Sequence, residues 1–268
     1  MSNADPGTRS SDDPAAGSSA DPGARSDADP VADIRYPTPL HRGVLAAIVA
    51  DTRADPNVRG LLLAGSLARG TARADSDLDV LAVVAVEASG ETTDAAWRTA
   101  ARLLPVDFLV RTDGEWRARF APDRPGDESW GYAFLDGVIL HDPEGIVGRL
   151  IADAAGLHAR YRVPAPVKAH YARLWDHVRP KMAAVLSRGD PVETGWASAV
   201  MTNDLLRTVW AANDRPNPSL DLGTVQRHLD DLTIPAGVAA ELRAILTAAP
   251  EESLRRQLTL LDRVLPYL

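Results

Sequence analysis

The sequence predicts an α+β protein: a sheet with flanking helices in the N-terminal part, followed by an all-helical C-terminal part. Three observations predict it. Short apolar runs of strand length (61–63, 80–86, 106–110 and 138–140) alternate with amphipathic stretches up to about Pro143. From Pro143 onward the apolar period changes from two to 3.6, and no strand-like alternation is left. Ahead of both lies a stretch of Ala, Asp, Gly, Ser and Pro with almost nothing to bury. The division expected is a tail over residues 1–34, a first domain over 35–145 and a helical domain over 146–268.

The tail carries seven Asp and two Arg, a net charge of −5, and repeats Ala-Asp-Pro at 4–6, 20–22 and 28–30. Low hydrophobicity with charge of one sign predicts disorder. Thr38-Pro39 reads as a helix start, Thr as N-cap and Pro in the first turn, and the helix runs to about Thr52 with Leu45, Ile48 and Val49 buried. Asp55-Pro56-Asn57 is a turn into a strand over 58–64.

The chain is organised around the next stretch, LLLAGSLARGTARADSDLDVLAVV, from Leu61 to Val84. It reads strand, Gly65-Ser66 turn, arginine-bearing loop, strand. Asp77 and Asp79 open the second apolar run, and a spacing of two on a strand puts both carboxylates on one face. Two close like charges cost stability unless a positive charge sits between them. A divalent cation shared with phosphate oxygens is the usual remedy. Gly65 permits an unusual backbone angle, and the Ser66 hydroxyl with the amides of the turn can hydrogen-bond phosphate. Arg69 and Arg73 are forked donors for phosphate oxygens.

Gly65-Ser66, a spacer of about ten residues, and Asp77-x-Asp79 together resemble the signature of the DNA polymerase β-like nucleotidyltransferase superfamily. The wording GSLARGTARADSDLD is most similar to the antibiotic, aminoglycoside-type branch. The resemblance covers Gly60 to roughly Val110. It implies a mixed sheet and a nucleoside triphosphate, with ATP as the default donor, held by Gly65, Ser66, Arg69, Arg73 and Ser76. It implies two Mg²⁺ ions on Asp77, Asp79 and a third acidic residue of the neighbouring strand. Asp107, second in the apolar run Val106–Val110, matches that position in order and context; the other reading of it is an edge-strand carboxylate facing water. The implied activity is metal-dependent transfer of a nucleoside monophosphate to a hydroxyl of a small molecule, an aminoglycoside-like antibiotic as first choice. The same fold also modifies protein side chains and tRNA ends, and a non-catalytic, antitoxin-like partner would be expected to have lost a metal carboxylate.

Between the second and third strands, Thr92 or Thr93 starts a helix running through Leu104, with Trp97 and Leu103 on its apolar side and Pro105 ending it. Asp113 reads as the N-cap of a short helix over 114–120, and 122–129 as a loop. Trp130 to Leu135 suits helix or strand, and 137–143 reads as a last strand ended by a turn. His141 and Asp142 at its end invite a metal reading, but Asp142-Pro143 is turn chemistry, the account favoured here. Helices are expected near 143–160, 166–188, 191–213, 221–231, 235–248 and 250–265. In this family the helical domain supplies the acceptor side of the cleft, and Asp176, Asn203, Asp204 and Arg207 are candidates by position. Trp175, Trp196 and Trp210 read as core.

Composition bounds the rest. The chain of 268 residues has no cysteine, hence no disulfide frame and no thiolate zinc site. No apolar run approaches membrane-spanning length, and no signal peptide is present at the N-terminus, so a soluble, cytoplasmic protein is expected. Of the net charge of −8, the tail holds −5, which leaves −3 on the rest. That balance gives no case for nucleic-acid binding, which wants a basic face. No P-loop, GxSxG or HExxH pattern occurs.

Overall fold

The computed structural model describes residues 31–85, 102–120, 129–218 and 222–268. The fold class is α+β. One sheet in the order β3-β2-β1-β4 is built from β1 (Val58–Leu63), β2 (Leu78–Val84), β3 (Val106–Thr112) and β4 (Val138–His141). β1 runs antiparallel to β2 and β4, and β2 runs parallel to β3. The sheet is therefore mixed.

Each face of the sheet has its own cover, as buried strands with apolar residues on both faces require. Leu61, Leu63, Leu78, Val80 and Ala82 face α1 (Pro39–Ala54), which buries Val44, Leu45, Ile48 and Val49 against them. Thr38 caps this helix by accepting the His41 amide, and Asp55 closes the following turn by accepting the Asn57 amide at 2.9 Å. Leu62, Ala64, Leu81 and Val83 face the other way, onto Trp116 of α3 (Asp113–Arg119), Phe134 of α4 (Ser129–Leu135) and Val147 and Leu150 of α5 (Ile146–Arg160). The short α2 (Gly65–Ala68) replaces the expected Gly-Ser turn with one helical turn.

The remaining helices form a separate apolar cluster: α6 (Ala165–Arg188), α7 (Pro191–Ala212), α8 (Leu222–His228), α9 (Val238–Thr247) and α10 (Pro250–Val264). Its centre is Trp175, Leu205, Val209, Trp210, Leu242 and Leu260, all essentially inaccessible.

Several expectations shift. α5 packs its Val147, Leu150 and Ala154 on the sheet, so the apolar contacts change partner near residues 161–164 rather than at 145/146. α3 begins one residue early, because Thr112 rather than Asp113 is the N-cap; Thr112 and Glu115 form a reciprocal capping box. Residues 129–135 are helical. Asp142 accepts the amides of Val147 and Gly148 at 3.0 and 2.9 Å, so its carboxylate caps α5 as the turn reading requires. Leu103 is 74% exposed and Leu104 takes the buried place. Trp196 is also 74% exposed, although Trp175 and Trp210 are core. The expected helix start at Thr92 or Thr93, Trp97, the loop at 122–128 and residues 1–30 lie outside the described residues.

The tail assignment over 1–34 reaches too far. Val31 is buried among Leu45, Leu63 and Leu78, Ile34 packs beside it, and the Tyr36 hydroxyl donates to the Val31 carbonyl at 3.0 Å. Burying a valine side chain is worth about 2 kcal/mol, which for a chain of this size moves Tm by about 5 °C. A chain starting at Arg35 should therefore melt about 5 °C below one starting at Val31, measured by circular dichroism; equal melting temperatures would show that Val31 contributes nothing.

Candidate active site

Three carboxylates meet where β2 begins. Side chains alternate along β2, so Asp79 shares a face with Leu81 and Val83, the face covered by α3, α4 and α5. The parallel register sets Asp79 beside Asp107 of β3, on the same face. Asp77 precedes the strand by one residue and completes the set. Asp77, Asp79 and Asp107 each offer an oxygen, and these oxygens lie within 4.8 Å of one another. Asp77 and Asp107 are exposed and Asp79 half-buried, so the group opens to solvent.

They line a cleft of about 600 Å³. Its floor includes Leu81 and Leu109, and one wall is the turn of Ala64, Gly65, Ser66 and Arg69. Ser129, Trp130 and Ala133 of α4 form a second wall, and Pro218 and Thr224 come from the helical part. Trp130 is held edge-on against the fully buried Trp116, ring centroids 5.5 Å apart, and the Trp116 indole donates to the Ala82 carbonyl at 3.0 Å. The aromatic wall is thus fastened to the strand that carries the carboxylates.

Gly65 decides how close the turn can come. Its φ is +65°, and a Cβ placed on it would lie 1.7 Å from the Asp79 Oδ2 and 2.6 Å from its Cγ. The Asp79 carboxylate therefore rests against a bare α-carbon, while the Asp79 carbonyl accepts the Ala64 amide at 2.8 Å. The Ser66 Oγ is buried with no hydrogen-bond partner among the described residues. An unmade buried hydrogen bond costs free energy, so a cleft-lining hydroxyl in this state suits a ligand oxygen.

The fit of the carboxylates to a divalent cation can be judged from their spacing. Oxygens about 2.1 Å from an octahedral Mg²⁺ lie roughly 3–4 Å from one another. Three oxygens within 4.8 Å come near that spacing, with the small excess that side-chain rotation or a second ion would take up.

The helical part is tied to this cleft through α8. The Arg69 guanidinium donates to the Thr224 hydroxyl at 3.3 Å and lies against Gly223, where a Cβ would meet its Nη2 at 2.6 Å. One turn later, Arg227 Nε donates to Asp136 at 3.0 Å and His228 Nε2 meets the same carboxylate at 3.1 Å. His228 Nδ1 meets Asp231 at 2.9 Å. Tyr132 donates to the Pro216 carbonyl at 2.9 Å and accepts from the Trp210 indole at 3.3 Å. Burial tends to lower the His228 pKa, but the hydrogen bonds and charges of Asp136 and Asp231 outweigh it and hold the imidazole above its ordinary value. Burial tends to raise the Asp136 pKa, but His228 and Arg227 bring it below the ordinary range. His158, packed on the Tyr132 ring at 4.5 Å, is pushed down to about 4 by burial, aided by the charges of His228 and Arg215.

Of the residues expected at the site, Asp77, Asp79, Asp107, Gly65, Ser66, Arg69 and Ser76 line the cleft. Arg73 does not; it is exposed, and its amide donates to the Ser76 Oγ at 2.9 Å, which commits that hydroxyl to the turn. Asp176, Asn203, Asp204 and Arg207 are also absent from the lining. The reason is that α6 and α7 commit Trp175, Leu205, Val209 and Trp210 to the helical core, and it is Pro216, Pro218 and Thr224 that reach toward the sheet part. Asp176 instead borders a separate depression with Arg179 and Asp262. Ser129, Trp130, Pro218 and Thr224 carried no signal in the sequence that placed them here.

Comparison with known proteins bears on this geometry. Residues 47–123 match the nucleotidyltransferase domain family. That span includes β1, the Gly65-Ser66 turn and all three carboxylates. Among solved structures, a nucleotidyltransferase-like protein from Exiguobacterium sibiricum 255-15 is similar at 14% identity, over 84% of this chain and 74% of that one, with a TM-score of 0.38. No curated protein matches.

Two outcomes are expected. Gly65→Ala forces a side chain into the Asp79 carboxylate and a strained φ, so it should cost about 2 kcal/mol and abolish divalent-cation binding, read by thermal melting and Mn²⁺ titration. Wild-type affinity in this variant would remove Gly65 from the argument. The second outcome is a pH dependence. His158 is neutral when folded and binds a proton below pH 6.5 when unfolded, so stability rises by roughly 3 kcal/mol as pH climbs from about 4 to 6.5. His228 acts oppositely: its raised pKa gives stability that is complete below pH 6.5 and lost as pH rises through the folded value. Urea unfolding between pH 4.5 and 9 should therefore show a flatter acid limb in His158→Gln and a flatter alkaline limb in His228→Gln. Slopes matching wild type in both would contradict the assignment.

Proposed function

We propose that this chain transfers a nucleoside monophosphate from a nucleoside triphosphate, with ATP as donor, to a hydroxyl of a small molecule, releasing pyrophosphate. The observation that carries the reading is the carboxylate set Asp77, Asp79 and Asp107 beside an unpartnered Ser66 hydroxyl, within a stretch that matches the nucleotidyltransferase domain family. Phosphoryl-type transfer asks a protein for positioning and charge neutralisation more than for covalent work.

The residues divide that work by place. The Gly65–Arg69 turn takes the β- and γ-phosphates, and Ser66 donates to one of their oxygens. Asp77, Asp79 and Asp107 would hold Mg²⁺, which when bound neutralises the triphosphate and draws electron density from the α-phosphorus. The indole of Trp130 and the Leu109 side chain offer the base an apolar wall. The acceptor hydroxyl attacks the α-phosphorus from the side opposite the turn. A new oxygen–phosphorus bond forms, the bond to the β-phosphate oxygen breaks, and the hydroxyl proton passes to an Asp107 carboxylate oxygen. Asp107 stands on the outer strand of the parallel pair and is exposed, which suits that role. Residues 31 to about 163 then make up the catalytic part, and the helical part supplies the acceptor side through Pro218 and Thr224 rather than through α6 and α7.

The acceptor proposed first is an aminoglycoside-like antibiotic, on the resemblance of the Gly65–Asp79 wording alone. Incubation with Mg²⁺, each of four labelled nucleoside triphosphates and a panel of aminoglycosides and lincosamides, read by product mass, tests donor and acceptor together. Asp77→Asn or Asp79→Asn should abolish transfer while the protein stays folded. Removing one of several repelling charges should also raise Tm slightly without Mg²⁺. Full activity in Asp79→Asn would end the mechanism.

A further inference from the structure

Asp79 and Asp107 lie within β2 and β3, and the strand ladder fixes both. Asp77 lies outside the ladder. Its direction depends on the two peptides that flank it. On one side the Leu78 amide donates to the Pro105 carbonyl at 3.0 Å. On the other, the Ser76 carbonyl meets His41 Nε2 at 3.0 Å. His41 stands in the first turn of α1, remote in sequence and fully buried. Its other ring nitrogen, Nδ1, meets the Thr38 hydroxyl at 2.7 Å. A carbonyl can only accept, so in the neutral ring Nε2 carries the proton and donates to Ser76, and Nδ1 accepts from Thr38. Both nitrogens are used, and the ring has no freedom to turn. A buried imidazole in an otherwise apolar layer, spending its donor on the one carbonyl next to Asp77, is an expensive way to fill space.

We propose that His41 is a positioning residue for the carboxylate set: it holds the Ser76–Asp77 peptide so that the Asp77 carboxylate stays beside those of Asp79 and Asp107. Three like charges within 4.8 Å push one another apart. Two of them are restrained by strands, so the repulsion would be relieved by swinging the third. The His41–Ser76 hydrogen bond opposes that movement and keeps the site formed before a cation arrives, which lowers the reorganisation that binding must overcome. Helix α1 thereby acts on the site through its first turn, without touching substrate. This rests on the nucleotidyl-transfer reading only in that the three carboxylates take a divalent cation.

The test separates the Ser76 hydrogen bond from simple packing. His41→Gln keeps a donor at the reach of Nε2; His41→Asn keeps one only at the reach of Nδ1. Mn²⁺ binding to the full chain, followed by electron paramagnetic resonance with and without a non-hydrolysable ATP analogue, is read beside thermal melting. His41→Asn should weaken Mn²⁺ about tenfold, as loss of a ligand-orienting contact does, and His41→Gln should stay within about threefold of wild type although both melt lower. If His41→Asn does not fold, Thr38→Val, which strips the hydroxyl from Nδ1, should weaken Mn²⁺ severalfold. Wild-type affinity in the variant measured, or equal losses in the Asn and Gln variants, overturns the proposal and leaves the nucleotidyl-transfer reading intact. No Mn²⁺ binding by the wild-type protein overturns both.

Discussion

Repulsion among Asp77, Asp79 and Asp107 is the constraint that the rest of the first domain answers. Left to themselves, three solvent-facing carboxylates would spread until their charges no longer felt one another. The fold denies them that freedom. β2 and β3 pair in register with Asp79 opposite Asp107, β1 and the helices on both faces clamp β2, and Gly65 lets the turn close over the Asp79 side chain. Stability gathered over two apolar layers is set against electrostatic strain at one end of two strands. Such strain, held by its surroundings, is what gives a site its pull on a cation.

The helical part serves the cleft through a small fraction of itself. Most of α6, α7, α9 and α10 is occupied with its own core. Among the described residues, Trp210, Pro216 and the stretch Leu222–Asp231 turn to the sheet part, through Tyr132, Asp136 and Arg69. These contacts are polar and directional where the sheet's own are apolar. Apolar packing fixes that two bodies touch; hydrogen bonds to Asp136 and Thr224 fix how they are aligned. Arg69 gains a double meaning from this, because the same side chain lines the cleft and holds the helix opposite.

What the sequence made legible follows from the range of the interactions involved. The strand–turn–strand stretch, the caps at Thr38 and the carboxylate spacing are local, and local rules found them. Asp107 was reached only through the family resemblance, and the register with Asp79 shows why its place in the apolar run is not incidental. The misplaced acceptor residues show the opposite case. Asn203 and Asp204 look exceptional along α7, yet whether a polar residue on a helix faces a cleft depends on how the helix is rotated by its partners, and α7 is rotated by Leu205, Val209 and Trp210 toward α6 and α10. Trp196 was misread for the same reason: it lies on the side of α7 left outside that packing. Val31 escaped because one apolar residue in a polar run carries no periodicity, and only the groove between α1 and the sheet gives it a place.

The parallel pairing of β2 with β3 has a consequence for how the site comes into being. Antiparallel neighbours can be joined by a tight turn, but a parallel pair needs the chain to travel back the length of the sheet, here through residues 85–105. Asp79 is in place once β1 and β2 form their local ribbon; Asp107, and the Pro105 carbonyl that holds the Leu78 amide beside Asp77, arrive only after that long connection has closed, at the entropic cost such closure carries. β3 is also the end strand of the described sheet, the position from which strands fray. A cation gripped by both strands would bind the folded edge and not the frayed one, so its affinity would be spent partly on holding that edge shut. Catalytic competence and the integrity of the last strand would then be one equilibrium, read at two places.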